Sequence, residues 1–105
     1  MSSLHLVERL NNIRRIPDSP GEWESGYWVV AEETAHRLVG GDLYVHSSQS
    51  EPSHFGGQIL SYRVHRDPDR PDVDGRLVFR IKPSPAHKGV LPGRESWGME
   101  KKIVW

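Results

Sequence analysis

The sequence predicts an α+β domain in which a small, bent and mainly antiparallel sheet is joined by an N-terminal helix. Three observations lead to this fold class. Apolar residues recur at helical spacing near the N-terminus, several later stretches alternate between apolar and polar residues, and prolines and glycines interrupt the chain between them. A chain of 105 residues normally forms one domain, so we expect residues 1–105 to fold as a single unit.

The first predicted element is a helix over residues 4–16. Within it, Leu6, Leu10 and Ile13 are spaced by four and three residues, so they would share one face and pack on the sheet. The helix would end before Pro17, because the residue preceding a proline avoids the α region.

Five short strands would form the sheet. Each is rich in β-branched or aromatic residues or alternates between apolar and polar ones, as a strand with one buried face does. The predicted strands cover residues 27–31, 43–47, 58–66, 76–82 and 101–105. One or two helical turns over residues 33–39, ending at Gly40, would cover one opening of the sheet. Short strands with closely spaced turns favour a strongly bent sheet or a barrel.

The composition excludes several classes of protein. The chain contains no cysteine, so disulfides and thiolate metal sites are excluded. No apolar run approaches the length needed to cross a bilayer, and the N-terminus lacks the basic and apolar regions of a signal peptide. We therefore expect a cytoplasmic protein with no membrane partner.

The net charge of zero conceals an asymmetry along the chain. Residues 1–75 contain 7 basic and 12 acidic residues, a net of −5, whereas residues 76–105 contain 7 basic and 2 acidic residues, a net of +5. The basic part would either face a polyanion or fold against the acidic part of the same chain. The candidate phosphate contacts are Arg63, Arg80, Lys82, Lys88 and Arg94.

A candidate ligand site lies in residues 41–64. A Gly-Asp turn leads into one strand, and a polar loop followed by the Gly56-Gly57 pair leads into the next. Tyr44 and His46 alternate with the apolar Leu43 and Val45, so they would lie on the face opposite the core. The predicted site combines side chains of this strand, its loop and a later glycine-rich loop, namely Tyr44, His46, Ser47, His54 and Trp97.

Known catalytic and metal motifs are missing from this region. The six histidines show no metal-binding spacing, so we predict neither a metal nor another cofactor. His46 cannot easily activate Ser47, because adjacent residues of a strand point to opposite faces. The Gly-Gly pairs lack the rest of a phosphate-binding loop and indicate either close backbone approach or a bulge at a barrel corner.

Two segments carry a resemblance to a known family. Tyr-Trp-Val-Val at residues 27–30, followed by Gly-Asp-Leu-Tyr-Val-His-Ser at residues 41–47, resembles the EVE and ASCH branches of the PUA-like superfamily. The resemblance covers about residues 26–64. It implies a pseudo-barrel whose cleft receives a nucleobase, often a modified one, in RNA or DNA.

These observations favour a non-enzymatic nucleic-acid or nucleotide-binding module that holds a base in an aromatic and polar pocket. Two alternatives remain. A small histidine-dependent nuclease or phosphotransfer enzyme would require His46 and His54 within reach of one reacting atom. A protein-interaction subunit, with an unspecified protein partner, would instead present a flat apolar patch.

Overall fold

A computed structural model describes residues 2–8, 12–92, 97–98 and 101–105. This part of the chain contains seven strands, one α-helix and a short 3₁₀ turn at Pro85–His87. The elements are β1 Ser3–Val7, β2 Ile13–Arg15, β3 Trp23–Trp28, α1 Glu32–Leu38, β4 Asp42–His46, β5 Phe55–Val64, β6 Leu77–Pro83 and β7 Lys101–Val104. No helix within these ranges is long and apolar enough to cross a membrane.

All seven strands belong to one sheet with the order β2-β3-β6-β5-β4-β1-β7. Every neighbouring pair is antiparallel except β1 and β4, which are parallel. The predicted mainly antiparallel, sheet-rich domain is therefore confirmed. In the described part of the chain the sheet is open, because β2 and β7 form its two edges and do not pair with each other.

The predicted N-terminal helix is wrong, because this segment forms β1 and β2 instead. β1 lies between β4 and β7, so its backbone is hydrogen-bonded on both sides. Its apolar residues also fit a period of two, since Leu4 and Leu6 both enter the core. A short apolar run fits a helix or a strand equally well, and here pairing with β4 and β7 decides for the strand. Leu10, which the helix would have buried, lies outside the described residues.

The later elements agree better with their predictions. β4, β5, β6 and β7 occupy the predicted segments within a few residues, whereas β3 begins and ends earlier than residues 27–31. α1 forms where helical turns were predicted, and Gly40 follows it with a φ of +90°. The left-handed conformation favours glycine and ends the helix as expected.

The inner face of the sheet packs with α1 around the apolar core. This core consists of Leu4, Leu6, Trp28, Val30, Ala35, Leu38, Leu43, Val45, Ile59, Leu77, Phe79 and Ile81. A bulge in β5 changes which residues face inward, since Leu60 has no opposite partner between the pairs Ile59–Ile81 and Ser61–Arg80. Ile59 therefore enters the core before the bulge, while Tyr62 and Val64 pack against the core after it. We call the opposite side of the sheet the outer face.

Candidate functional site

Aromatic and imidazole rings gather on the outer face of β1 and β4. The parallel register places His5 directly beside Tyr44, and the two rings stack with centroids 4.7 Å apart and planes inclined by 15°. The His46 ring lies 5.1 Å from the His5 ring. Trp97 makes edge-to-face contacts with His46 at 5.6 Å and with His5 at 6.4 Å. With His87, whose ring lies 5.2 Å from that of Tyr44, these residues form what we call the ring cluster.

Two loops border the ring cluster, and Ser53 joins them to each other. The Ser53 hydroxyl donates to the His87 carbonyl at 2.6 Å and accepts from the Val90 N–H at 2.9 Å. Its backbone N–H donates to the Val90 carbonyl, and its carbonyl accepts from the Gly89 N–H. These bonds attach the loop before β5 to the segment after the 3₁₀ turn, and so place His87 over the sheet.

Gly56 makes room for His87. It lies opposite Tyr44 in β5, and a Cβ built on it would lie 3.0 Å from the His87 Cβ and 2.3 Å from the Leu43 carbonyl oxygen. The neighbouring Gly57 would place a Cβ 2.4 Å from the Lys82 carbonyl oxygen. The predicted close backbone approach at the Gly-Gly pair is confirmed. Tyr44 is flanked by His5 on the β1 side and by His87 on the β5 side.

Hydrogen bonds fix the proton positions of the two buried histidines. His46 Nδ1 lies 2.8 Å from the Glu51 carbonyl oxygen, which only accepts, so Nδ1 carries the proton. His46 Nε2 is then an acceptor, and it receives the Nδ1–H of His5 at 2.9 Å. The remaining His5 Nε2 faces the Ser3 hydroxyl at 3.4 Å. Both imidazoles are satisfied in their neutral forms.

Burial keeps this pair neutral. The pKa of His5 is lowered from 6.5 to about 4, first by burial and then by the charges of His46 and Lys102. Burial also lowers the pKa of His46, against the opposing effect of its bond to the Glu51 carbonyl. His46 has no exposed surface and both its ring nitrogens are engaged. It therefore offers no free lone pair to a substrate in this arrangement.

Two hydrogen-bond donors of the ring cluster are unused. Within the described ranges, the buried indole N–H of Trp97 has no acceptor and the Tyr44 hydroxyl makes no hydrogen bond. Burial and the Asp42 carboxylate raise the pKa of Tyr44, so its hydroxyl stays protonated at neutral pH. The cluster thus presents two donors to anything that binds there.

The structure brings three of the five predicted site residues together, namely Tyr44, His46 and Trp97. Ser47 and His54 are exposed and make none of the ring contacts. Sequence reasoning placed His5 in a helix and therefore missed it. Its position between two core leucines was the available signal, because alternation puts it on the outer face beside Tyr44.

The predicted phosphate contacts differ in whether their side chains already bind carboxylates of the protein. Arg63 binds Glu24 through two nitrogens, at 3.1 and 3.3 Å, and this bond lowers the Glu24 pKa. Arg80 binds Glu22 and the Ser19 hydroxyl. Lys82 and Lys88 are exposed, and neither forms an ion pair with a described residue. Arg94 lies outside the described residues.

A shallow groove of about 150 Å³ lies elsewhere on the outer face, toward the β2 edge. It is lined by Asn12, Arg14, Glu24, Gly26, Tyr27 and Val78. No group of three or more histidine, aspartate or glutamate side chains in the described ranges could hold a metal ion.

No protein-family model, curated protein or solved structure matches this chain.

Proposed function

We propose that the protein is a nucleic-acid or nucleotide-binding module that holds a modified or unmodified base at the ring cluster. One observation carries the proposal. Tyr44, His46 and Trp97 meet on the outer face although Trp97 is more than fifty residues away in sequence, and the buried Trp97 indole N–H has no acceptor among the described residues. Rings with unused donors suit a flat ligand that carries acceptors, as a base does.

The unpaired indole N–H favours an outward movement of Trp97 toward a ligand. A buried donor without a partner costs about 1–3 kcal/mol, and this cost is relieved when the N–H meets an acceptor. Because His5 and His87 flank the Tyr44 ring, the stacking surface for a base is the half-exposed indole of Trp97. The Tyr44 hydroxyl would provide the second donor. Carbonyl oxygens and ring nitrogens of a base would accept both bonds.

Lys82 and Lys88 are the phosphate contacts that this arrangement supports best. Lys88 directly follows His87 and therefore lies beside the ring cluster, and Lys82 projects from β6 on the outer face. Arg63 and Arg80 would first have to leave their carboxylate partners. We expect a log-log salt slope of about −0.7 for each lysine contact on a single strand.

The proposal includes a relationship to the PUA-like superfamily. The order β3, α1, β4, β5 over residues 26–64 supports the resemblance to its EVE and ASCH branches. A pseudo-barrel would require the two ends of the sheet to approach each other. The open edges β2 and β7 mark where this chain departs from that form.

Replacing Trp97 tests the proposed site. We expect Trp97→Ala to weaken binding of a labelled single-stranded oligonucleotide about tenfold or more, because base stacking contributes roughly 1–3 kcal/mol. Trp97→Phe should lie between wild type and Trp97→Ala, since it keeps a ring and loses the N–H. The measurement is a fluorescence anisotropy titration at low salt, with unmodified and base-modified oligonucleotides.

Trp105→Ala is the matched control. Trp105 is 54% exposed and stacks on the Arg37 guanidinium at 4.2 Å, away from the ring cluster. The Trp105→Ala variant should bind the oligonucleotide with the same affinity as wild type. Equal affinities for wild type, Trp97→Ala and Trp105→Ala would contradict the proposed site, and absence of binding at low salt would contradict the proposed function.

A further inference from the structure

A hydrogen-bonded series of three side chains lies at the border of the ring cluster. His87 Nε2 lies 2.9 Å from an Asp42 carboxylate oxygen, and His87 Nδ1 lies 3.1 Å from the Ser84 hydroxyl. Asp42 belongs to β4, whereas Ser84 is the N-cap of the 3₁₀ turn and His87 is its last residue. All three residues are half-buried.

The carboxylate determines the direction of these bonds. Asp42 accepts, so His87 Nε2 carries a proton, and in neutral His87 the lone pair of Nδ1 points to Ser84. The Ser84 hydroxyl therefore donates to Nδ1. An acid that orients an imidazole, whose other nitrogen accepts from a hydroxyl, is the arrangement that activates a nucleophile.

We propose that Ser84 is a nucleophile that His87 activates for acyl transfer from small esters, with Asp42 as a positioning residue. Ser84 Oγ attacks the ester carbonyl carbon while its proton passes to His87 Nδ1. The bond to the leaving alcohol then breaks, and the alcohol takes this proton. Water, deprotonated by Nδ1, hydrolyses the acyl-serine, which releases the carboxylic acid and restores the Ser84 hydroxyl.

Capping of the 3₁₀ turn accounts for only part of this geometry. The Ser84 oxygen accepts from the Ala86 N–H at 3.2 Å, which is the capping bond and uses one lone pair. The cap does not require His87 to be oriented by a residue 45 positions away. The Tyr44 ring also shields one side of His87 from water. The second lone pair of Ser84 Oγ is available for attack.

Because the chain lacks cysteine, a single substitution can measure the activation directly. We expect Ser84→Cys to react with iodoacetamide at pH 6 about tenfold faster than Ser61→Cys, since a paired histidine increases the thiolate fraction. Ser61 is exposed on the outer face and serves as the matched control. The faster alkylation of Ser84→Cys should disappear when His87→Gln is added. Adding Asp42→Asn should shift the pH at which the alkylation rate of Ser84→Cys reaches half of its maximum.

Hydrolysis of p-nitrophenyl acetate tests the proposed acyl transfer to Ser84 in the unsubstituted protein. Wild type should release p-nitrophenol at least tenfold faster than Ser84→Ala, and an acetyl group should be found on Ser84 by mass spectrometry. Circular dichroism checks that each variant folds. The proposal is overturned if Ser84→Cys alkylates no faster than Ser61→Cys, or if wild type and Ser84→Ala hydrolyse the ester equally. Neither result bears on oligonucleotide binding.

Discussion

Gly56→Ala is expected to destabilise the fold by more than about 3 kcal/mol and to lower the midpoint of thermal unfolding by at least about 10 °C. The added methyl would lie 2.3 Å from the Leu43 carbonyl oxygen, 3.0 Å from the His87 Cβ and 3.2 Å from the Tyr44 Cα. Two of these atoms belong to the backbone of the paired strand, so the methyl fits only if β4 and β5 separate. Differential scanning calorimetry measures the effect.

Gly98→Ala is the control for this substitution. At that position the nearest atom to an added Cβ is the Lys101 carbonyl oxygen, at an ordinary 3.8 Å. The midpoint of thermal unfolding of Gly98→Ala should stay close to that of wild type. If Gly56→Ala unfolded at the same temperature as Gly98→Ala, the packing of His87 and Tyr44 around Gly56 would be wrong.

Acid should destabilise the protein through His5. Its folded pKa of about 4 lies below the ordinary 6.5, so the unfolded chain binds the proton more readily. The stabilisation from keeping His5 neutral is present above pH 6.5 and is lost as the pH falls toward 4. Between pH 7 and pH 4.5 the loss attributable to this residue should be about 2–3 kcal/mol, as measured by urea unfolding at each pH.

His5→Asn separates this effect from the titration of carboxylates. An asparagine amide can still donate to His46 Nε2 but does not titrate, so the variant should lose about 2–3 kcal/mol less than wild type over the same pH interval. His36→Asn, which replaces an exposed histidine of α1, should follow wild type. Parallel curves for wild type and His5→Asn would show that His5 is not held neutral by burial.

The sequence pattern predicts the strands of this fold where alternation and turn residues agree. Tyr44 and His46 were placed opposite the core because Leu43 and Val45 alternate with them, and the structure has this arrangement. Near the N-terminus the spacing of apolar residues does not distinguish a helix from a strand. Leu6 satisfies a helical and a strand spacing at once, and only pairing with strands far away in sequence resolves the choice.

Long-range contacts also explain which site features the sequence could not provide. His87 reaches Tyr44 for two reasons. Ser53 joins the loop before β5 to the segment that carries His87, and Gly56 has no side chain that would collide with His87. The Gly-Gly pair predicts a close backbone approach, but no local pattern indicates that His87 lies against Gly56 or that Ser53 joins the two loops. His46 is a predicted ligand-site residue, but its bonds to Glu51 and His5 occupy both ring nitrogens. Which histidine is free for chemistry therefore depends on tertiary hydrogen bonds.

The central claim, that the ring cluster is the ligand site, can be tested by titrating the ¹⁵N-labelled protein with single nucleosides and short oligonucleotides. The indole N–H of Trp97 and the ring nitrogens of His5 and His46 should shift together and saturate. Resonances of Tyr27 and His65, whose rings contact each other near the β2-edge groove, should stay in place. Saturable shifts at Tyr27 and His65 with none at Trp97, His5 and His46 would contradict the claim.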